Sequence, residues 1–334
     1  MKPLTRITVW IGLAVLAILA VAAATGAAYQ AISSVQDRRR YPPPGQLIDI
    51  GGYRLHLHCT GTGSPTVVLN SASFDTVSDW VWLQPKLANV TRVCAYDRAG
   101  LGWSDFGPEP HDPQQDSAQV HSLLANAAIQ GPLLLVGHSF GGLYARHYAA
   151  QYPQDVAGMV LIEATPPDFL RRAGRPEVMP NADETMIKAG PYAARLGVLR
   201  LLRFVELDSN LPARQRAELN AFYSSNKFAD SALSSFQYFR SILAEVRATG
   251  PFGAKPLAIV IGGKSENASG QPFELQSELA SLSSDSVVHI VEGANHTSLV
   301  RNEAHAAATL KVIFAVVDSV RSKRPLRSLD LGRY

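Results

Sequence analysis

A chain of 334 residues, 46% apolar and 18% charged, has enough material for one large globular domain with room for an inserted subdomain. Its formal net charge is only +3, and the basic excess gathers toward the two ends, which argues against a nucleic-acid binder with a clustered basic face. Two cysteines, Cys59 and Cys94, fit neither a zinc ribbon nor a redox pair, and the chain contains no phosphate-binding loop or dinucleotide fingerprint. Neither a metal nor a cofactor is expected.

Residues 7–28 form one uncharged apolar run, about the ~20 residues a helix needs to cross a bilayer core. Lys2 and Arg6 precede it, and Arg38, Arg39 and Arg40 follow. The run exceeds the ~7–15 residues of a signal-peptide core, so residues 1–36 read as an uncleaved single-pass membrane anchor. The rival is a signal peptide cleaved among the small residues between Ala22 and Ala28, which would leave a secreted protein. Basic residues flank both sides, so charge does not set the orientation. Tyr41-Pro42-Pro43-Pro44-Gly45 is a stiff break, making residues 37–45 a linker and starting the soluble domain near Gly45.

Short β-rich runs follow at 47–50 and 53–58 around a Gly-Gly turn, then a buried strand begins at 66–69. From there strands at 92–96, 133–136, 156–162, 256–261 and 287–291 alternate with helices, notably 115–129, 141–151 and 303–320. Apolar strands alternating with helices indicate an α/β architecture, a mostly parallel sheet covered on both faces. Residues 164–250 break the alternation with helical stretches at 212–223 and 231–246 and no convincing strand, as a helical cap would. The organisation is therefore core (46–163), cap (164–250), core (251–320), and a basic tail (321–334) expected to be disordered. In the cap, Phe222, Tyr223, Phe236 and Phe239 are the side chains expected to set the size of a bound molecule.

Leu135-Val136-Gly137-His138-Ser139-Phe140-Gly141-Gly142 places G-x-S-x-G directly after a buried strand and before a helix. That context makes Ser139 a nucleophile on a tight, strained turn at a helix N-terminus, where free N–H groups favour developing negative charge. A serine hydroxyl needs a neighbouring base. His56, His58 and His289 fall in strands, and His121, His147 and His305 in helices. His111 comes too early for a Ser…acid…His order, and His138, beside the serine, is expected to point elsewhere. His296, in Glu292-Gly293-Ala294-Asn295-His296-Thr297 beyond the last strand, remains as the general base.

On Tyr53-Arg54-Leu55-His56-Leu57-His58-Cys59 and Tyr96-Asp97-Arg98-Ala99-Gly100-Leu101-Gly102-Trp103-Ser104, residues from about Gly45 to Val320 resemble the α/β-hydrolase superfamily, in particular its membrane-anchored bacterial branch. The resemblance implies a mostly parallel eight-stranded sheet, a helical cap over an acyl pocket, and a Ser–His–acid triad. It gives Asp97 a turn-making role. For the acid, Glu163 at the end of the strand after the elbow and Glu266 after the next strand both qualify; Glu163 is preferred, with Asp168 in reserve. The oxyanion donors are expected to be the backbone N–H groups of Phe140 and of Ser73, or of Ala72, which stands where relatives carry Gly. Cys59 and Cys94 would lie on adjacent strands, and a disulfide between them would put the domain outside the cytoplasm.

The expected activity is hydrolysis of carboxylic esters through an acyl-serine intermediate, with amides or thioesters as further substrates. The alternative is a non-catalytic small-ligand receptor or scaffold on the same fold, which the altered loop 70–75 favours. Acyl transfer or cofactor-free haloperoxidase chemistry is a smaller third reading. The expected partners are a small ester or acyl substrate and the membrane.

Overall fold

The computed structural model describes residues 3–178, 183–202, 210–264, 273–330 and 332. Eight strands make its sheet: β1 (Gln46–Asp49), β2 (Arg54–Thr60), β3 (Thr66–Asn70), β4 (Val93–Tyr96), β5 (Leu133–His138), β6 (Val156–Ile162), β7 (Leu257–Gly262) and β8 (Ser286–Val291), in the order β1-β2-β4-β3-β5-β6-β7-β8. The two pairings that involve β2 are antiparallel and the rest parallel. Cys59 faces Cys94 across β2 and β4, and the two are joined as a disulfide.

The α/β-hydrolase fold read from the sequence is the fold observed. Strands β3, β4, β5 and β7 are buried along their whole length, which explains why their central residues are consecutively apolar rather than alternating. The two-residue period of a strand divides these side chains between two cores. Val67, Leu69, Leu134, Val136 and Val160 pack under Leu83 and Leu87 of α2 (Gln84–Ala88, with its N-cap) and under Leu310, Ile313 and Val317 of a long C-terminal helix. Val68, Leu133, Leu135, Met159 and Leu161 pack on the opposite face against Val120, Leu123, Ala145 and Tyr148. These belong to α3 (Pro113–Asn126) and α4 (Gly141–Gln151). Helix α3 starts two residues earlier than expected because Asp112 caps it, accepting from the Gln115 N–H at 2.8 Å, and Pro113 needs no donor there.

Among the described residues between β6 and β7 lie five helices: α5 (Phe169–Arg172), α6 (Glu184–Arg195), α7 (Val198–Leu202), α8 (Ala213–Tyr223) and α9 (Asn226–Arg247). After them come α10 (Phe273–Ser277), α11 (Ser298–Arg301) and α12 (Glu303–Ser322). Two expectations are corrected. Helix α1 (Pro3–Arg40) continues through the first four residues assigned to a linker, because Gln30 and Asp37 find polar partners on the cap and keep the helix regular. The described part of the tail is not loose: Leu326 is fully buried and the Asp285 carboxylate accepts from the N–H groups of Leu326 and Arg327, which docks this segment beside the sheet.

Candidate active site

The strand order reverses at β3: the chain goes from β3 to β4 on one side, then returns to β5 on the other. In parallel sheets the crevice outside the carboxyl ends of such strands is where ligands bind. Asn70 at the end of β3 is in register with Gly137 near the end of β5, so the loop after Asn70 and the turn carrying Ser139 lie side by side.

Ser139 has φ 54°, a left-handed conformation uncommon for any residue with a side chain. It is held there from both sides: its N–H donates to the Ile162 carbonyl at 3.0 Å, and its own carbonyl accepts from Thr165 at 3.1 Å. The flanking glycines are steric requirements. A Cβ on Gly141 would lie 2.0 Å from the Asn70 carbonyl oxygen, and one on Gly137 2.6 Å from the Gly142 Cα. Phe140 is the N-cap of α4, so its N–H is among those a helix leaves without an internal partner.

Glu163 repeats the pattern one strand over. It follows β6 with φ 41°, is fully buried, and donates its N–H to the Val260 carbonyl at 2.7 Å. Its Oε2 accepts from the Gly262 N–H at 3.1 Å, which turns Oε1 toward His296; Oε1 lies 3.3 Å from Nδ1. That approach is longer than a tight charge-assisted hydrogen bond. With Nδ1 facing Glu163, Nε2 is the nitrogen left for other chemistry. Ser139 and His296 line one cavity of about 230 Å³, together with Ser73, Phe74, Tyr223 and Phe228.

Of the other acids considered, Asp168 faces Arg171 at 3.6 Å and Arg247 at 3.9 Å, away from this cavity, and Glu266 lies outside the described residues. Asp97 is a turn-maker: its carboxylate accepts from Val77 and Trp103 N–H groups and from His56 Nδ1 at 2.8–3.0 Å. His138 does not point elsewhere. Its ring lines the cavity 4.8 Å from the His296 ring, and its Nε2 donates to the His296 carbonyl at 3.0 Å. Three of the four aromatic residues expected to size the pocket are not part of its wall: Phe239 is buried against Leu143, Phe222 packs edge-on to Trp103, and Phe236 is half-buried on α9. Tyr223 does line it, joined by the unanticipated Phe228.

Two features lie beyond the motifs. The Arg98 guanidinium, stacked 4.7 Å over the Tyr144 ring, donates to the carbonyls of Ser71, Ala72 and Ser73 at 2.6–2.7 Å. In a trans peptide the N–H opposes the C=O, so the N–H groups of Ser73 and Phe74 point away from Arg98. Asp75 and Asp79 converge on Arg301 at 2.8 and 2.7 Å. Burial would raise the Asp75 carboxyl, but Arg301 and then His138 outweigh it and hold it below the usual carboxylate range. Burial, followed by the Asp75 charge, pushes Asp79 up. The only sequence signal for Arg98 was its place in the Asp97–Ser104 loop; Arg301 carried none.

A sequence model of the alpha/beta hydrolase family matches residues 55–310. An uncharacterized protein of Schizosaccharomyces pombe is 24% identical over 287 residues, covering 76% of this chain; the match spans 52% of that relative, about half its length. Among solved structures, a bromoperoxidase from Bacillus anthracis superposes with a TM-score of 0.60 at 21% identity, covering 82% of this chain and 99% of its own. An esterase from Exiguobacterium antarcticum superposes with a TM-score of 0.63 at 18% identity, covering 82% and 100%. At these identities the superpositions speak to the fold alone.

Proposed function

The chain belongs to the alpha/beta hydrolase family, and from that premise we propose that it is a serine hydrolase cleaving carboxylic esters through an acyl-serine intermediate. The observation that carries this reading is the Glu163 carboxylate 3.3 Å from Nδ1 of His296, in a cavity that His296 shares with the strained Ser139. Nε2 of His296 takes the Ser139 proton as Oγ adds to the ester carbonyl. The N–H groups of Phe140 and Ser73 receive the oxyanion, and Arg98 is the residue that orients the second of these. His296 then returns the proton to the departing alkoxide as its C–O bond breaks. Water repeats the sequence on the acyl-serine, releasing the acid. Glu163 supports the imidazolium in both halves.

Helix α1 serves as a membrane anchor in this reading. Trp10 and Tyr29, both exposed, stand 19 residues apart, or about 28 Å along a helix, close to the ~30 Å of a hydrocarbon core. The Cys59–Cys94 disulfide favours a domain outside the cytoplasm.

The test is labelling of the full chain with a fluorophosphonate, alongside turnover of a panel of p-nitrophenyl esters. Ser139→Ala is expected to abolish labelling and to lower turnover by roughly 10⁴-fold or more. Undiminished turnover in that variant ends the serine-hydrolase reading, and an unlabelled wild type that still binds apolar esters points to the receptor.

A further inference from the structure

The end of α1 is built into the cap. Gly26, two residues before the apolar run ends, touches the turn between α6 and α7 so closely that a Cβ there would lie 2.4 Å from the Leu196 carbonyl oxygen. One turn on, Gln30 is buried at 2% exposure. It donates to the Ser224 carbonyl at 2.9 Å and to Asn226 at 3.3 Å, and accepts from Arg200 at 3.1 Å. Arg200 also pairs with Asp37 at 2.7 Å. These contacts set the cap at a fixed height against the helix. Because Gly26 is still within the apolar run, Leu196 sits about where that run leaves the hydrocarbon, within roughly 3 Å by helix rise.

The same two cap helices carry apolar side chains that nothing among the described residues covers. On α6, which packs against α9 and α1, Pro191 and Ala194 are buried. Met186, Ala189, Tyr192 and Leu196 are exposed on a different face, with Tyr192 at 73%. Leu201, 75% exposed, and Leu202 extend the apolar surface along α7. The stripe ends at the Leu196 contact with α1, so it is continuous with the membrane-spanning surface. Apolar side chains flanked by Glu184, Lys188 and Arg195 suit a helix lying in a membrane interface.

We propose that α6 and α7 rest in the interface of the same bilayer that α1 crosses, so that Ser139 acts on esters partitioned in that bilayer. This rests on the anchor reading of α1 and on Ser139 being catalytic. The route is short: Gln30 bonds to Ser224, the neighbour of Tyr223, which walls the cavity.

The native cysteines are paired, so an introduced thiol is the only free one. The experiment attaches NBD to Leu13→Cys, Tyr192→Cys, Leu201→Cys and Ala254→Cys in the full chain. Ala254 precedes β7, at the end of the sheet opposite the cavity. Each is reconstituted in phosphatidylcholine vesicles with or without doxyl-labelled lipid. Quenching at least twofold at 13, 192 and 201 and none at 254 is expected. No quenching at 13 overturns the anchor and this proposal with it. Quenching at 13 but not at 192 and 201 overturns this proposal alone, and disulfide linking of the unlabelled Tyr192→Cys chain to a second copy then assigns this face to a second copy instead. In activity, Tyr192→Asp with Leu201→Asp is expected to cut turnover of a vesicle-borne long-chain ester at least tenfold while a soluble butyrate ester is hydrolysed as before. Equal turnover on the long-chain ester overturns the substrate assignment. If wild type hydrolyses neither ester, the substrate assignment falls with the serine-hydrolase reading, while the quenching still decides the docking.

Discussion

Replacing Glu163 with Gln exchanges one carboxylate oxygen for an amide nitrogen and leaves the side-chain shape nearly unchanged. The amide oxygen can still accept from the Gly262 N–H, now at 3.1 Å, so the backbone at φ 41° keeps its tether. The amide nitrogen then takes the place of Oε1, 3.3 Å from His296 Nδ1, and donates into it. An imidazole whose Nδ1 accepts carries its proton on Nε2, the nitrogen needed to receive the Ser139 proton. The wrong tautomer and the loss of support for the imidazolium together correspond to about 10³–10⁴ in turnover, or roughly 4–5.5 kcal/mol of transition-state stabilisation. The melting temperature should move by only a few degrees, because Gly262 keeps its acceptor. The assay is p-nitrophenyl ester turnover with the fluorophosphonate labelling rate, on wild type, Glu163→Gln and Glu266→Gln. Glu266→Gln is expected to lose less than tenfold. A loss below tenfold in Glu163→Gln with intact folding refutes the role given to Glu163, and a large loss in Glu266→Gln transfers it.

Arg98→Met removes the donor shared by three loop carbonyls and frees the 71–74 segment; kcat is expected to fall about 10²–10³-fold, the scale of one oxyanion donor, with KM changed far less. Tyr223→Ala and Phe228→Ala should shift the preferred acyl length upward in an ester panel, whereas Phe239→Ala should mainly lower the melting temperature. Asp116 is buried, and burial pushes its carboxyl up to about 6. The folded state therefore holds that proton over a pH range where the unfolded chain has lost it. The stabilisation is full below the unfolded value near 4 and is lost as pH rises through about 6, by on the order of 2–3 kcal/mol. Chemical denaturation of wild type and Asp116→Asn should give stability curves that diverge in favour of the variant between pH 4 and pH 7; parallel curves refute it.

Contiguous residues were enough for the α/β alternation, the helical interval before β7, the turn around Ser139 and the placing of His296 beyond the last strand. Each is written in short-range terms: a two- or three-to-four-residue period, a pair of glycines, a cap such as Asp112. Such terms act within a few residues and survive without knowledge of what packs outside. Other features needed segments far apart in the chain to meet. Whether Glu163 approaches His296 depends on Gly262 fixing one carboxylate oxygen from a strand 99 residues away. His138 faces the cavity because the His296 carbonyl, 158 residues on, accepts from its ring. Arg98 grips a loop 25–27 residues upstream, Asp285 holds the tail, and Gln30 holds the cap, none of which has a local signature. A side chain's direction and partner are set by the register between strands and by which faces pack together, and a pattern read along one segment carries no record of the other.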